Sequence, residues 1–493
     1  MFRTRSLEIV HCIPRMARAI LPLVIVLCSC SDSVTGTRNH GPPANLSLIS
    51  GNAQQDTIDA VLALPLTVSV TDASARPVPG VTVTFSTAQG GATIASSISD
   101  SLGHAAATVS LGDSAGTYTV MATAMGLQGS PVIFTATATI PLFHATSVVM
   151  GQEFTCAISP TQQVSCWGAN DGGQLGDGTT VAYRLLPAPV VGSLHFTQIS
   201  ASGSFACGIA DVAYCWGSNN LSSLGDGTTV TQRLPTPVIG GDAFTYISAG
   251  GDHACALTKA GDAFCWGISQ LGAVGDGTNA NTRLSPVAVV GGLKFTKIAS
   301  GARHTCGLVA SGAMYCWGWN VDGALGDGTT TTRYAPTAVS GGLTFASLAA
   351  GADDTCGLTP NGVVYCWGAN DRGKLGTADT VAKLTPTAVQ GGYTFAQLAA
   401  GYDVTCGITT IGALYCWGDP LASGGAPSNQ PIVAPRPVNA PGGMAFTSVT
   451  VGDTGGCAIA TTAATYCWGD NVFGEIGDGT RMFEYAAVPV HAR

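Results

Sequence analysis

Charged side chains are scarce in this sequence, and basic ones are the scarcer kind. Only 10% of the 493 residues are charged, with 20 Lys and Arg against 29 Asp and Glu, whereas soluble domains are typically about a quarter charged. No basic stripe occurs, so nucleic acid is not expected as a partner. No long helical periodicity occurs outside the N-terminus either, and the abundance of glycine, 66 residues, favours short strands joined by tight turns.

The apolar run at the N-terminus is short. Ala19–Leu27 follows four arginines and is too short to span a bilayer, so it predicts a signal peptide over residues 1–29. Translation can begin at Met1 or at Met16, and the second start leaves a more usual signal length. The length of the whole chain predicts two or three domains.

The end of this signal resembles a bacterial lipobox. It reads Leu27-Cys28-Ser29-Cys30, with Cys30 as the lipidated residue, and Ser31 in place of Asp favours sorting to the outer membrane. We therefore expect an outer-membrane lipoprotein of a bacterial cell envelope, on either the periplasmic or the outer side. An ordinary secretory signal is the alternative. The polar stretch 30–44 predicts a flexible tether.

Cys-x-x-Cys is absent from the rest of the chain, where 14 cysteines follow one pattern. A cysteine and then Cys-Trp-Gly recur seven times at a period of about 50 residues. The two cysteines of each pair lie on either side of a predicted hairpin turn, and residues that face each other on such neighbouring strands are within disulfide range. Seven structural disulfides, and hence maturation outside the cytosol, suit this better than redox or metal sites. The predicted pairs are Cys156–Cys166, Cys207–Cys215, Cys255–Cys265, Cys306–Cys316, Cys356–Cys366, Cys406–Cys416 and Cys457–Cys467.

Each repeat contains four short segments of strand character. In the fourth repeat they are residues 295–300, 305–308, 314–317 and 336–339. Four antiparallel strands per repeat and seven repeats predict an all-β chain in which residues 143–493 form a seven-bladed β-propeller. Because the last repeat ends at Val490, the first and last blades must meet to close the ring.

The repeats have a family likeness. The stretches CWGANDGGQLGDGTT from Cys166 and CWGWNVDGALGDGTT from Cys316 resemble repeats of the regulator of chromosome condensation family in its secreted bacterial form. The resemblance implies the propeller fold. It implies no single activity, since such propellers include a nuclear nucleotide-exchange factor, a plant photoreceptor and a secreted β-lactamase inhibitor.

Residues 45–139 lack cysteine and show period-2 alternation, which predicts a β-sandwich. The stretches VTDASARPVPGVTVTF and SDSLGHAAATVSLGDSAGTYTVMATA resemble the bacterial Ig-like domains of invasin-type surface proteins. The resemblance implies a spacer or an adhesin module, and we favour the spacer.

Two repeated features are interpreted as parts of blade construction. The tryptophan after each second cysteine is expected to pack between blades. The Gly-Asp-Gly-Thr tract is expected to form a turn whose carboxylate accepts backbone N–H groups and pairs with a following basic residue; a calcium site is the less favoured alternative. These aspartates are Asp177, Asp226, Asp276, Asp327 and Asp478.

Positions that differ between repeats are expected to be exposed and available to a partner. Two residues just ahead of each first cysteine, and separated from it by one residue, differ between repeats, as in Glu153-Phe154 and Asp252-His253, and a propeller gathers these turns on one face around its channel. The sequence differs again after each Trp-Gly. A solvated rim without a partner is the alternative. The predicted binding residues are Phe154, Phe205, Asp252, His253, Arg303, His304, Trp319, Asp353, Asp354, Arg372, Tyr402 and Asp403.

Two histidines raise the possibility of catalysis. His253 and His304 occupy equivalent positions in consecutive repeats near several carboxylates, which suits a metal or acid–base chemistry. No nucleophile motif accompanies them, so we expect neither an enzyme nor a metal or other cofactor. Repeats five and six depart from the pattern at Gly376–Asp379 and Pro420–Pro427, through drift or specialisation.

The sequence as a whole predicts a lipid-anchored, exported interaction or adhesion scaffold, monomeric, whose propeller binds another macromolecule, most readily a protein. An inhibitor of a secreted hydrolase is the second hypothesis. A hydrolase or lyase acting on polysaccharide through His253 and His304 is the third. Guanine-nucleotide exchange is disfavoured, because a signal peptide and disulfides separate the chain from cytosolic GTPases.

Overall fold

The computed structural model describes residues 40–87, 93–425 and 430–492. The predicted signal peptide, the lipidation site Cys30 and most of the predicted tether lie outside these residues. Within them, no helix has both the length and the hydropathy needed to cross a membrane. The chain divides into two compact units, the first built mainly from Leu62–Val109 and Thr119–Ala136 and the second mainly from the residues after Thr137.

The first domain is a β-sandwich of ten strands. They are β1 (Pro43–Ser50), β2 (Gln54–Thr57), β3 (Leu66–Asp72), β4 (Thr82–Thr87), β5 (Thr93–Ile94), β6 (Ser97–Ile98), β7 (His104–Ala107), β8 (Val109–Ser110), β9 (Gly116–Thr123) and β10 (Val132–Thr139). One sheet has the order β1-β3-β7 and the other β2-β10-β9-β4-β6, while β5 pairs with β8. Leu66, Val68 and Val70 alternate into the core, as the period-2 pattern predicts.

The second domain contains seven sheets of four strands, each in sequential order. Blades one to four are β11–β14 (Ser147–Met150, Phe154–Ile158, Val164–Ala169, Tyr183–Pro189), β15–β18 (Gln198–Ser202, Phe205–Ile209, Ala213–Gly217, Gln232–Pro237), β19–β22 (Phe244–Ala249, His253–Thr258, Ala263–Ile268, Thr282–Ala288) and β23–β26 (Phe295–Ser300, His304–Val309, Met314–Gly318, Arg333–Ala338). Blades five to seven are β27–β30 (Ser347–Ala350, Asp354–Leu358, Val364–Gly368, Lys383–Ala388), β31–β34 (Phe395–Ala400, Val404–Thr409, Leu414–Gly418, Ile432–Pro437) and β35–β38 (Phe446–Val451, Gly455–Ala460, Thr465–Gly469, Glu484–Pro489). Two short 3-10 helices, Gly241–Ala243 and Pro441–Gly443, precede blades three and seven. The predicted all-β architecture is confirmed.

All seven predicted disulfides are present. Each joins residues that face each other on the second and third strands of a blade, with Cα atoms 4.0–4.1 Å apart. In blade four, for example, Cys306 is in register with Cys316. Every blade is therefore cross-linked within itself.

The core lies in the seams between blades, where the tryptophan of one blade packs with the disulfide of the preceding blade. One apolar cluster contains Cys255, Cys265 and Trp317, and the same grouping unites Cys457 and Cys467 of blade seven with Trp167 of blade one. All seven repeated tryptophans are fully buried. The predicted packing is confirmed, and the last seam closes the ring in the same way as the others.

Candidate interaction surface

Hydrogen bonds fix each seam at the same place. The indole Nε1 of Trp317 donates to the carbonyl oxygen of Ala273 in the preceding blade, over 2.9 Å. The closing seam repeats this bond from Trp167 to Glu475, also over 2.9 Å. In the described part of the chain the exception is Trp417, whose Nε1 has no hydrogen-bond partner. The invariant residues of the repeat thus hold the blades together.

The variable segments of all blades lie on one face. In each blade, the backbone N–H of the second residue after the repeated tryptophan donates to the carbonyl oxygen of the residue that precedes the second strand. Examples are Trp319 to Arg303 (3.0 Å) and Asp419 to Asp403 (2.7 Å). These bonds place the turns between first and second strands beside the loops that follow Trp-Gly. We call this surface the front face; it comprises turns 151–153, 202–204, 250–252, 301–303, 351–353, 401–403 and 452–454 and loops 169–175, 218–224, 268–274, 319–325, 369–375, 419–423 and 470–476.

A cavity of about 430 Å³ opens at the centre of the front face. All seven blades contribute to its wall, chiefly through the backbone of small residues in the front-face turns. Its charged side chains are Asp252, Arg303, Asp353 and Asp453, with the ring of Tyr402 beside them. The cavity therefore presents more negative than positive charge.

Five predicted binding residues are buried rather than exposed on this surface. Phe154, Phe205, His253, His304 and Asp354 are at most 2% exposed. Each begins the second strand of its blade, and neighbouring blades cover both sides of that strand. The exposure expected of these five residues is therefore wrong.

The other seven predicted residues reach the front face. The turn residue directly before each buried position points outward. Of two residues adjacent in sequence, one therefore lies on the surface and the other in the seam. Asp252, Arg303, Arg372 and Tyr402 are exposed, and Trp319, Asp353 and Asp403 are half-buried.

The two histidines belong to the seams. Nε2 of His253 lies 2.8 Å from the hydroxyl of Thr305, and Nε2 of His304 lies 2.8 Å from that of Thr355. Thr305 Oγ1 donates its own proton to the carbonyl of Ala273, so it accepts a hydrogen bond from the imidazole N–H of His253. Burial lowers the pKa of His253 to about 3 and that of His304 to about 4. Both imidazoles are neutral at pH 7 and have no access to a substrate, so the polysaccharide hypothesis loses the residues on which it rested.

Blade five replaces this histidine with Asp354, which is paired with a residue that the sequence analysis missed. Nζ of Lys374 lies 3.3 Å from Oδ1 of Asp354 and 3.5 Å from Oδ1 of Asp403, and it donates to the carbonyl of Tyr402 over 2.7 Å. Burial raises the pKa of Asp354 to about 7, and the ammonium group of Lys374 opposes that rise. Lys374 stands where blades three and four have Ala273 and Ala324, a signal visible in the aligned repeats.

Acidic groups concentrate on the front face from blade five round to blade one. Burial and the neighbouring carboxylates of Asp403 and Glu153 raise the pKa of Asp453 to about 6. Burial, and then the charges of Asp470 and Glu153, raise the pKa of Glu475 to about 7. The sequence analysis named Asp353, Asp354 and Asp403 of this sector but missed Asp453 and Glu475, because the sector is assembled from several blades.

The Gly-Asp-Gly-Thr aspartates have the geometry of turns. Oδ1 of Asp177 accepts the backbone N–H (3.0 Å) and hydroxyl (2.8 Å) of Thr179, and Oδ2 accepts two N–H groups of Arg184. Asp276 and Asp327 pair in the same way with Arg283 and Arg333, and Lys383 pairs with Asp379. Guanidinium groups thus occupy oxygens that a calcium ion would need.

Blade two departs from the predicted pairing of the turn aspartate with a following basic residue. Gln232 donates to Asp226 over 3.0 Å, and Arg233 instead reaches the carbonyl of Thr179 in blade one. Across the described residues, no group of three or more His, Cys, Asp or Glu is arranged to hold a metal ion.

Comparison with known proteins decides the family. Residues 110–421, more than half of the chain, match the RCC1-like domain. The chain belongs to the RCC1-like domain family. The match ends in blade six, and blade seven, from Phe446 to Pro489, completes the ring of this RCC1-like propeller. Residues 47–140 match the bacterial Ig-like domain of group 1.

Solved structures share the propeller fold. Human WBSCR16 has a TM-score of 0.61 at 19% identity, covering 66% of this chain and 94% of its own. Yeast RCC1 (Prp20), bound to Kap60, has a TM-score of 0.56 at 22% identity, covering 62% of this chain and 78% of its own. Prp20p from Saccharomyces cerevisiae, described with its binding to Gsp1p and histones, has a TM-score of 0.55 at 23% identity, covering 62% and 80%. Identities this low show the fold alone, and no curated protein matches the sequence.

Proposed function

We propose that this chain is an exported interaction protein whose RCC1-like propeller binds a protein partner through its front face. The Ig-like domain is its spacer, and a lipid on Cys30 is its anchor in the bacterial outer membrane. Seven disulfides and a bacterial Ig-like domain favour an extracellular or envelope location.

One contrast within the repeats carries the proposal. Residues common to the repeats, such as Trp317 and its disulfide neighbours, are buried in the seams. Residues that differ from blade to blade, such as Ser204, Asp252 and Arg303, surround the central cavity on the front face. Variation concentrated on one surface of a rigid ring suits recognition, because the ring can hold many different side chains in fixed positions.

The front face also has the composition of a protein-binding surface. Among its exposed residues are Leu221 (38% exposed), Val321 (50%) and Val472 (48%), which belong to the loops after Trp-Gly, and Leu221 also lines the central cavity. Trp319 and Arg303 belong to the types that contribute most to interfaces. Apolar groups around a charged centre combine buried area with specificity.

Capture with matched variants tests the proposal. The full exported chain is immobilised and exposed to envelope proteins of its bacterial host. The front-face variant carries Arg303→Glu with Trp319→Ala. The control carries Lys259→Glu with Ile411→Ala, two exposed residues in the hairpin turns at the opposite ends of the strands. A partner retained by the wild type and the control but lost from the front-face variant supports the proposal. A partner lost only from the control overturns it.

The anchor has its own test. Radiolabelled palmitate should enter the wild-type chain and be lost from Cys30→Ala, while Cys28→Ala should keep at least part of the label. Equal labelling of the wild type and Cys30→Ala would remove the lipid from the proposal and leave the front face untouched.

A further inference from the structure

A second cavity lies on the front face where blades five and six meet. Its volume is about 380 Å³, within the range of small-molecule and side-chain pockets. The loop after Trp367 forms one wall and the turn that contains Tyr402 forms the other. The residues used below are Asp322, Asp353, Asp371, Lys374, Tyr402 and Asp403, all of which line it.

Three departures from the repeat meet at this pocket. Lys374 stands where blades three and four have alanine, Asp354 stands where they have histidine, and Tyr402 stands where they have Gly251 and Ala302. Lys374 connects the three positions, since it pairs with Asp354 and donates to the backbone carbonyl of Tyr402. The pocket is therefore a specialised feature of one seam rather than a property of every blade.

The cation of this pocket is already neutralised. The side chain of Lys374 is only 3% exposed, and that of Asp354 is fully buried beside it. Nζ of Lys374 lies 5.9 Å from the centre of the Tyr402 ring. Lys374 acts as a positioning residue: it holds the Tyr402 turn against blade five and adds no free positive charge.

Apart from Asp403, whose Oδ1 lies 3.5 Å from Nζ of Lys374, the carboxylates of this pocket lack partners. Oδ1 of Asp353 is buried and accepts no hydrogen bond. Asp322 and Asp371 take part in none of the ion pairs formed among the described residues. Tyr402 is 51% exposed and lines the same pocket. An unsatisfied buried carboxylate oxygen, two unpaired carboxylates and an available aromatic face are complementary to a planar cation.

We propose that this pocket binds the guanidinium group of an arginine side chain presented by a protein partner. The inference rests on the proposed function, because it names what the partner inserts into the front face. A guanidinium group can donate to two carboxylates at once and stack on a tyrosine ring, whereas an ammonium group is a more strongly hydrated point charge. Arginine should therefore bind more tightly than lysine.

Calorimetry with a single-arginine peptide tests the pocket directly. The probe is acetyl-Gly-Arg-Gly-amide, titrated into the full oxidised chain at low salt. Peptides with citrulline or lysine in place of arginine have similar length and different charge or shape. The citrulline peptide should show no measurable binding, and the lysine peptide should bind several-fold more weakly than the arginine peptide. Equal binding of arginine and citrulline peptides overturns the proposal.

Matched variants separate the pocket from the general negative charge of the face. Asp353→Asn and Asp371→Asn should each weaken arginine binding roughly tenfold, as expected for loss of a hydrogen bond to a charged group. Tyr402→Ala should weaken it several-fold, and Tyr402→Phe should preserve it. Asp252→Asn removes the same charge from the same face but lies outside the pocket, so it should change affinity less than twofold. An equal loss with Asp252→Asn overturns the pocket, and unchanged melting temperatures confirm folding of each variant.

The two proposals can fail separately. If the arginine peptide does not bind but the front-face variant still loses its partner, the pocket is wrong and the interaction surface stands. If the peptide binds in the predicted way but capture maps to the opposite face, the pocket stands and the proposed function is wrong.

Discussion

The indole nitrogen of Trp317 and the carbonyl oxygen of Ala273 lie 2.9 Å apart across the seam between blades four and three. The same carbonyl accepts a hydrogen bond from the hydroxyl of Thr305. That hydroxyl in turn accepts a hydrogen bond from the imidazole N–H of His253 in blade three. Four residues, Trp317 and Thr305 of blade four and Ala273 and His253 of blade three, thus form a chain of hydrogen bonds that crosses the seam three times. Because every group in the chain is buried, these bonds fix the angle between blades as well as their contact.

Two tryptophans allow the indole bond to be measured. Trp317→Phe removes a hydrogen bond and part of a buried ring, whereas Trp417→Phe removes a similar part of a ring whose nitrogen has no partner. Trp317→Phe should therefore lower the free energy of unfolding by about 1 kcal/mol more than Trp417→Phe. Denaturant titrations with intact disulfides measure the difference, and equal losses would show that the bond contributes nothing net.

The buried histidines make the fold sensitive to acid. The folded protein keeps His253 and His304 neutral, with pKa values of about 3 and 4, while the unfolded chain takes up protons near the ordinary pKa of 6.5. Their contribution to stability is complete above pH 6.5 and is lost as the pH falls towards 4 and below. The double variant His253→Gln with His304→Gln should show a shallower fall in melting temperature over this range. His195→Gln, at an exposed histidine, should melt as the wild type does at each pH.

The architecture could be predicted from the sequence because the residues that build each blade recur in every repeat. In blade four the predicted first strand coincides with Phe295–Ser300, and the predicted second and third lie inside His304–Val309 and Met314–Gly318. The predicted fourth strand, 336–339, overlaps the observed one, but the observed strand begins three residues earlier, at Arg333, and ends at Ala338. Its start follows from the pairing of Gly318 with Arg333 across a bulge, which local propensity does not encode.

The site was only partly predictable, because variation between repeats has two causes. Asp252 varies because it is exposed, while its neighbour His253 varies because a seam can be filled in several ways. Phe154, His304 and the pair of Asp354 with Lys374 are three such solutions for one position. Sequence alone does not separate these causes, since the separation depends on which side chain the next blade covers.

Glu475 should respond to pH in the direction opposite to that of the histidines. Its pKa in the folded protein is about 7, above the ordinary 4.5, so its contribution to stability is complete below pH 4.5 and is lost as the pH rises through 7. Glu475→Gln should therefore be more stable than the wild type at pH 8, by on the order of 2 kcal/mol, and equally stable near pH 4.5. Melting temperatures at the two pH values test this.

Blade one shows that the neutral side chain fits at this position. Gln174 occupies the equivalent place and accepts the N–H of Gly172 over 2.9 Å, as Glu475 accepts that of Phe473 over 2.9 Å. A Glu475→Gln protein that is less stable than the wild type at pH 8 would therefore contradict the shift of the pKa rather than the packing.

The pair of Asp354 and Lys374 can be replaced by the arrangement of blade four, where His304 and Ala324 stand in the same places. Lys374→Ala alone leaves a buried carboxylate without its cation and should cost about 3 kcal/mol of stability. Asp354→His alone places an imidazole against the buried ammonium group. The double variant should be more stable than either single variant. The hydroxyl of Thr405 already donates to the carbonyl of residue 374 over 2.9 Å, so it can accept a hydrogen bond from the new imidazole, as Thr355 does from His304. Unfolding free energies of the four proteins measure the coupling; strictly additive losses would mean that the two side chains do not depend on each other.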